Sequence, residues 1–176
     1  MKTWEDCSHF HGHECPGLSI GYRAAIEAAR ILDLKREKDA DEDIVCVTEN
    51  DACGVDAIQV ILGTSAGKGN LIYKLRGKMA FSIYDRISGK SVRLVSKSAF
   101  NRDTMTKQEI IDFIKTAPIK DVFDIKETTF VLPEKARLFN SCKCEKCGEN
   151  TMEAMLRLED GKKVCMDCYS PYTRMY

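Results

Sequence analysis

The stretch His11-Gly12-His13-Glu14-Cys15-Pro16-Gly17-Leu18, continued by Ser19-Ile20-Gly21-Tyr22-Arg23, decides the fold. Pro16 suits the first turn of a helix, where its missing N–H would be unpaired anyway. Leu18, Tyr22, Ala25, Ile26, Ala29 and Leu32 recur at helical spacing, which predicts a helix from Pro16 to about Leu34. On it Gly17, Gly21, Ala24, Ala25, Ala28 and Ala29 would admit a second helix or a partner subunit at close range, or mark an ordinary alanine-rich helix.

All three histidines of the chain precede that helix, in His9-Phe10-His11-Gly12-His13, with Cys15 two residues on. In an extended segment residues 9, 11, 13 and 15 share one face, so two or three could converge on one ion or substrate while Gly12 bends the backbone. Cys15, beside the unpaired N–H groups of the helix start, is a candidate ligand or nucleophile. The plainer reading is a solvated arm with Cys15 as a small buried residue, the class to which Cys7 and Cys46 are assigned.

Downstream, the charged loop Lys35 to Asp43 leads into Ile44-Val45-Cys46-Val47-Thr48, whose β-branched content predicts a buried strand. It delivers Asn50-Asp51-Ala52-Cys53 to its end, and Val55 to Leu62 reads as a short helix. Asp51 and Asp56 bracket Cys53, where a carboxylate could orient a histidine ligand, act as a base or cap the helix. Gly63-Thr64-Ser65-Ala66-Gly67-Lys68-Gly69-Asn70 is a glycine loop, not a nucleotide P-loop, because the spacing is short and Gly69 stands where a magnesium-binding hydroxyl belongs. A tight turn there would place Lys68 and Asn70 near the cavity, with Lys68 binding an anion or lying in solvent.

Phe81 to Tyr84 and Val92 to Val95 alternate as paired strands, and Thr106-Lys107-Gln108-Glu109 reads as a capping box before a helix that Pro118 closes. Phe130-Val131-Leu132 is expected to be a final strand, with Pro133 the exit into a cysteine-rich tail. Strands and helices without regular βαβ alternation predict an α+β core over residues 1–132 and a second domain over 133–176.

In that tail Cys144-Glu145-Lys146-Cys147 and Cys165-Met166-Asp167-Cys168 are two Cys-x-x-Cys pairs separated by seventeen residues, a spacing suited to a four-cysteine zinc module of treble-clef or zinc-ribbon type. Each short spacer presents two sulfurs to one ion, and Asp160-Gly161 is a hairpin turn that returns the second pair to the first. Four thiolates close the coordination sphere, so the zinc is structural. Cys142 could replace Cys144, but the two-residue spacing favours Cys144. The stretch resembles the zinc finger of the bacterial DksA/TraR transcription factors, which implies protein contact as much as DNA contact. From Pro133 to Tyr176 eight Lys+Arg face seven Asp+Glu, and four thiolates with one zinc ion subtract two charges. Such a finger is a poor nucleic-acid binder.

The N-terminal motif, with Asp51-Ala52-Cys53-Gly54-Val55-Asp56-Ala57-Ile58-Gln59 and Gly67-Lys68-Gly69-Asn70-Leu71, resembles the FmdE family of formylmethanofuran dehydrogenase components. That resemblance implies an α+β core, an intertwined homodimer, and a cavity lined by the His/Cys motif and the Asp-x-Cys block. Some members also carry a C-terminal zinc finger. The family's glycine loop often holds a further cysteine, whereas this chain reads Gly63-Thr64-Ser65. Molybdenum and tungsten pterin chemistry belongs to other components of the archaeal complex, so the family name is not an activity.

The whole chain balances 27 Lys+Arg against 27 Asp+Glu, so no chain-wide attraction to nucleic acid or anionic membrane is encoded. It has no apolar run long enough to span a bilayer and no secretory leader ahead of its nine cysteines, which predicts a cytoplasmic protein without a membrane partner. The expectation is a dimeric metal-binding protein whose core holds zinc, iron or nickel through His11, His13, Cys15 and Cys53. It would act as a metal-dependent accessory or enzyme related to formylmethanofuran dehydrogenase. Cys15, Asp51, Cys53 and Lys68 are the candidate catalytic groups, and no organic cofactor site is expected. The alternative is a metal-sensing or transcription-related regulator acting through contacts of the finger with a protein partner.

Overall fold

The computed structural model describes residues 2–34, 42–97, 100–101 and 103–174. Residues 35–41 of the expected charged loop lie outside them. The chain divides into two compact units, Met1–Ala136 and Arg137–Tyr176.

Helix α1, Trp4–His11, opens the first unit. Thr3 and Asp6 form a reciprocal capping box at its start, and Gly12 ends it in the left-handed conformation at φ 87°. The segment that leads to His11 is therefore helical rather than extended. Trp4 and Cys7 bury its inner face against Leu18, Ala57 and Ile111, which outweighs its otherwise polar composition. The Trp4 indole N–H donates to Glu14 at 2.8 Å, so the turn after α1 is tied back to its first residue.

Helix α2, Pro16–Leu32, has Cys15 as its N-cap and Asp33, in the left-handed region, as its C-cap. It ends two residues before the expected Leu34, at that reversal. Strand β1 spans Ile44–Thr48, helix α3 Gly54–Leu62, and strand β2 Leu71–Tyr73. Strands β3, Ala80–Asp85, and β4, Ser91–Ser96, form the expected antiparallel pair. Helix α4, Lys107–Thr116, carries the Thr106/Glu109 capping box, and the single turn α5, Ile119–Val122, leads into β5, Phe123–Lys126.

The five-stranded sheet has the order β2-β1-β3-β4-β5, parallel between β1 and β2 and antiparallel elsewhere. Cys46, Phe81, Ile83, Val92 and Leu94 on one face meet Ala24, Ala25, Ala28, Ile58, Ile110 and Ile114 of the helices in the main core. On the other face Val45, Val47 and Tyr84 are covered by Phe130 and Leu132. The 130–132 stretch is not the expected strand. Its Phe130 carbonyl accepts from the Tyr84 hydroxyl at 2.7 Å and that of Pro133 from Arg86 at 2.6 Å, so side chains rather than a neighbouring strand engage its backbone. A buried bidentate pair, Arg93 to Glu49 at 2.6 and 3.0 Å, ties β4 to the residue that follows β1.

The small residues of α2 receive α3 of the same chain. A Cβ on Gly21 would collide with the backbone of Gly54, and one on Gly54 would lie 2.9 Å from the Gly17 carbonyl oxygen. Backbone meets backbone, so no side chain can turn aside to relieve the clash. Gly21→Ala should therefore cost on the order of 3 kcal/mol or prevent folding, read by urea denaturation of the purified chain. A wild-type midpoint in that variant would contradict the crossing described here.

Candidate metal centres

The glycine crossing brings the N-terminus of α2 against that of α3, and with them Cys15 and Cys53. A Cβ added to Gly17 would lie 3.6 Å from Cys53 Sγ and 3.9 Å from Cys15 Sγ. Helix α1 ends at the same place, and the reversal at Gly12 folds His13 back towards His11, with ring centroids 4.5 Å apart. Donor atoms of His11, His13 and Cys15 all lie within 4.8 Å of one another. Imidazole nitrogen and thiolate sulfur on one tetrahedral ion would be about 3.6 Å apart, and His11 Nε2 is 3.9 Å from Cys15 Sγ.

The other ring nitrogen, His11 Nδ1, is 2.7 Å from Asp56 Oδ2. Gln59 Nε2 in turn donates to Asp56 Oδ1 at 3.2 Å. A carboxylate on Nδ1 holds the proton there and leaves Nε2 as the donor, the arrangement that orients histidine ligands to metals. Asp56 thus engages the His11 ring nitrogen other than the one nearest Cys15.

Cys53 borders this group without joining the set that shares the 4.8 Å limit. Burial, then hydrogen bonding to Cys15, raises its thiol above the usual range. His9 and Asp51 are exposed and lie outside the group. Lys68 and Asn70 stand at the opposite end of the sheet. Nine residues of α3, about 13 Å of helix, separate Cys53 from Gly63. The Asn70 side chain accepts from Ser65 N–H at 2.9 Å and donates to the Ile44 carbonyl at 3.0 Å, closing the loop onto the start of β1. Tyr73 was missed in the sequence. It pairs with Thr48 at the carboxyl end of the two parallel strands, and burial followed by the Asp56 charge raises its phenol. A lone tyrosine at a strand end carries no sequence signal. Cys7 and Cys46 are fully buried; burial pushes the Cys7 thiol up to about 12 and Cys46 higher still, as inert core thiols.

In the second unit, β6, Ser141–Lys143, pairs with β7, Asn150–Met152, and β8, Arg157–Glu159, with β9, Lys162–Val164. Asp160 and Gly161 both take positive φ in the expected hairpin turn. Gly148, at φ 79°, closes the first cysteine knuckle, with its N–H on the Cys144 carbonyl at 2.9 Å. Donor atoms of Cys144, Cys147, Cys165 and Cys168 lie within 4.8 Å of one another. A tetrahedral zinc with bonds of about 2.3 Å sets its sulfurs about 3.8 Å apart, and Cys147 and Cys165 Sγ are separated by 3.9 Å. Cys142 pairs with Thr151 in the β6–β7 ladder and is not in the quartet.

Backbone N–H groups of Cys147 and Cys165 bring the Cys144 thiol down to about 6, whereas hydrogen bonding to Cys165 pushes Cys168 up to about 12. Four sulfurs this close ionise together only beside a cation, which is what a divalent metal supplies.

The family described as "FmdE, Molybdenum formylmethanofuran dehydrogenase operon" matches residues 10–124. The chain belongs to the FmdE family. Residues 137–174 of this FmdE-family chain match the prokaryotic dksA/traR C4-type zinc finger. A "Probable S-adenosyl-L-methionine-binding protein" of Archaeoglobus fulgidus is 30% identical over 191 aligned positions, covering 93% of this chain and 51% of the relative. The chain thus spans about half the length of that curated relative. A solved FmdE-like protein from Syntrophus aciditrophicus, described as of the tungsten formylmethanofuran dehydrogenase type, shares the fold, with a TM-score of 0.68 and 21% identity over 93% of this chain and 88% of that one. Among the described residues no helix is long and apolar enough to cross a membrane.

Two outcomes follow from these geometries. For any cobalt(II) that the core takes up, Asp56→Asn should lower the affinity, followed by absorbance, by about 10- to 100-fold without removing a ligand. Chelation should abolish the finger's amide dispersion in NMR spectra while leaving the core signals in place, because a segment of about forty residues has too little core to fold without its ion.

Proposed function

We propose that the core holds one transition-metal ion, zinc, iron or nickel, through His11 Nε2, His13 and Cys15 Sγ, with a fourth position for water or a substrate atom. The observation that carries this reading is the His11 imidazole, held by Asp56 on one nitrogen at 2.7 Å and turned towards Cys15 on the other. Bound metal would supply Lewis acidity and a lowered pKa for bound water. The chain's own residues would orient the ligands through Asp56 and Gln59 and carry Cys53 and Tyr73 at the rim. Asp51 is exposed, so a base there would act through solvent. In this reading Lys68, at the far end of β1, stands apart from the reaction.

The working unit in this proposal is a cytoplasmic homodimer, acting as a metal-dependent accessory or enzyme related to molybdenum or tungsten formylmethanofuran dehydrogenase. The finger, folded on a structural zinc, serves for contact with a protein partner. Exposed Leu138, Met155, Leu158 and Tyr172 support that role, as apolar surface that a protein partner would cover. A regulatory reading, in which core metal changes the partner affinity of the finger, rests on the same surface. The Archaeoglobus relative's description adds S-adenosyl-L-methionine as a ligand to test by calorimetry.

Metal analysis of the intact chain beside a truncate ending at Ala136 tests the core reading. Two metal ions per intact chain and one per truncate are expected, with His11→Ala lowering each by one. One ion in the intact chain and none in the truncate would remove the core metal and leave a tethered zinc finger.

A further inference from the structure

Cys53 is the nucleophilic side chain that the three-ligand reading leaves unused. It shares the gap beside Gly17 with Cys15, since the added Cβ that would touch one sulfur also touches the other. After burial, the Cys15 thiol is the neighbour that acts most on the Cys53 thiol. Both thiols are free and only half-buried, unlike Cys7 and Cys46. Each sits at the N-terminus of a helix, and the two helices cannot slide apart without undoing the Gly21–Gly54 contact.

We propose that Cys15 and Cys53 form a reversible disulfide that withdraws Cys15 from the core metal. The oxidant is a low-molecular-weight disulfide. One protein sulfur attacks it, forming a mixed disulfide and releasing one small thiol. The second protein sulfur displaces the other small thiol and closes the Cys15–Cys53 bond. In sum the two protein thiols lose two protons and two electrons, and the small disulfide gains them as two thiols. Cys15 Sγ is then a disulfide sulfur rather than a thiolate donor, and two imidazoles alone hold the ion weakly. The bond itself does not depend on the core-metal reading; only its consequence for metal rests on that reading.

The test uses the full chain, reduced, zinc-loaded and exposed to glutathione disulfide, with metal release followed by a chromophoric chelator. Free thiols are then alkylated and the digest mapped by mass spectrometry, with sites assigned by fragmentation. A cross-link joining Cys15 to Cys53, reversed by dithiothreitol, is expected, with core-metal release about tenfold faster than without oxidant. Cys53→Ser should trap a glutathione adduct on Cys15, with no cross-link. Wild-type protein in which both cysteines stay alkylatable, or carry only separate adducts, overturns the disulfide. A cross-link formed without loss of a bound core metal overturns the withdrawal. A reduced chain that never holds core metal but still forms the cross-link sustains the disulfide and defeats the core-metal reading instead.

Discussion

The contact on which the rest of the first unit depends is the approach of α2 to α3 at Gly17, Gly21 and Gly54. With a Cβ at Gly21 or Gly54 the two helix axes would be forced apart, because backbone atoms already occupy that space. Because the crossing lies at the beginning of both helices, it acts on their N-cap residues, Cys15 and Cys53, and sets them side by side. The Asp56 carboxylate, in the first turn of α3, then falls within reach of the His11 ring at the end of α1. Three segments meet at one point because two backbones touch.

The two units are stabilised by different physics. In the first, one face of a five-stranded sheet is covered by helices and the other by the strap ending at Pro133, so apolar burial supplies the driving force. The buried Glu49–Arg93 pair and the Arg23 guanidinium, which donates to the carbonyls of Lys115 and Ala117, add direction rather than bulk. In the second only Cys144, Val164 and Cys165 are buried apolar residues among those described, and two of them belong to the sulfur quartet. There the ion takes the place of a core.

That contrast also separates the chemistry of the two sulfur clusters. The finger quartet offers four sulfurs and no opening, so it can only hold shape. The core group mixes two imidazoles with one sulfur, has a carboxylate behind one ring, and has an additional thiol beside it. Its composition suits reactivity, and its position at the carboxyl ends of β1 and β2 is where parallel strands commonly place a ligand crevice.

The amino-acid sequence by itself determined what short-range spacing enforces: the two Cys-x-x-Cys knuckles, the Asp160-Gly161 turn, the Pro16 helix start, the Thr106 cap and the β-branched strands. Each depends on residues a few positions apart, whose geometry backbone sterics dictate. It also grouped His11, His13 and Cys15, by a face that an extended segment would share, whereas they meet through a capped helix and a left-handed glycine. The Thr3/Asp6 box and Gly12 were the signal for that helix, weak because its polar composition masked the buried Trp4 and Cys7. Only the tertiary structure decided that Asp56 faces His11, that Cys53 borders Cys15, that Lys68 lies at the far end of β1, and that Phe130 to Leu132 is a strap. Those placements join residues 38 or more positions apart, or opposite ends of one helix. They follow from how helices cross and which sheet face needs covering, and no local period encodes either.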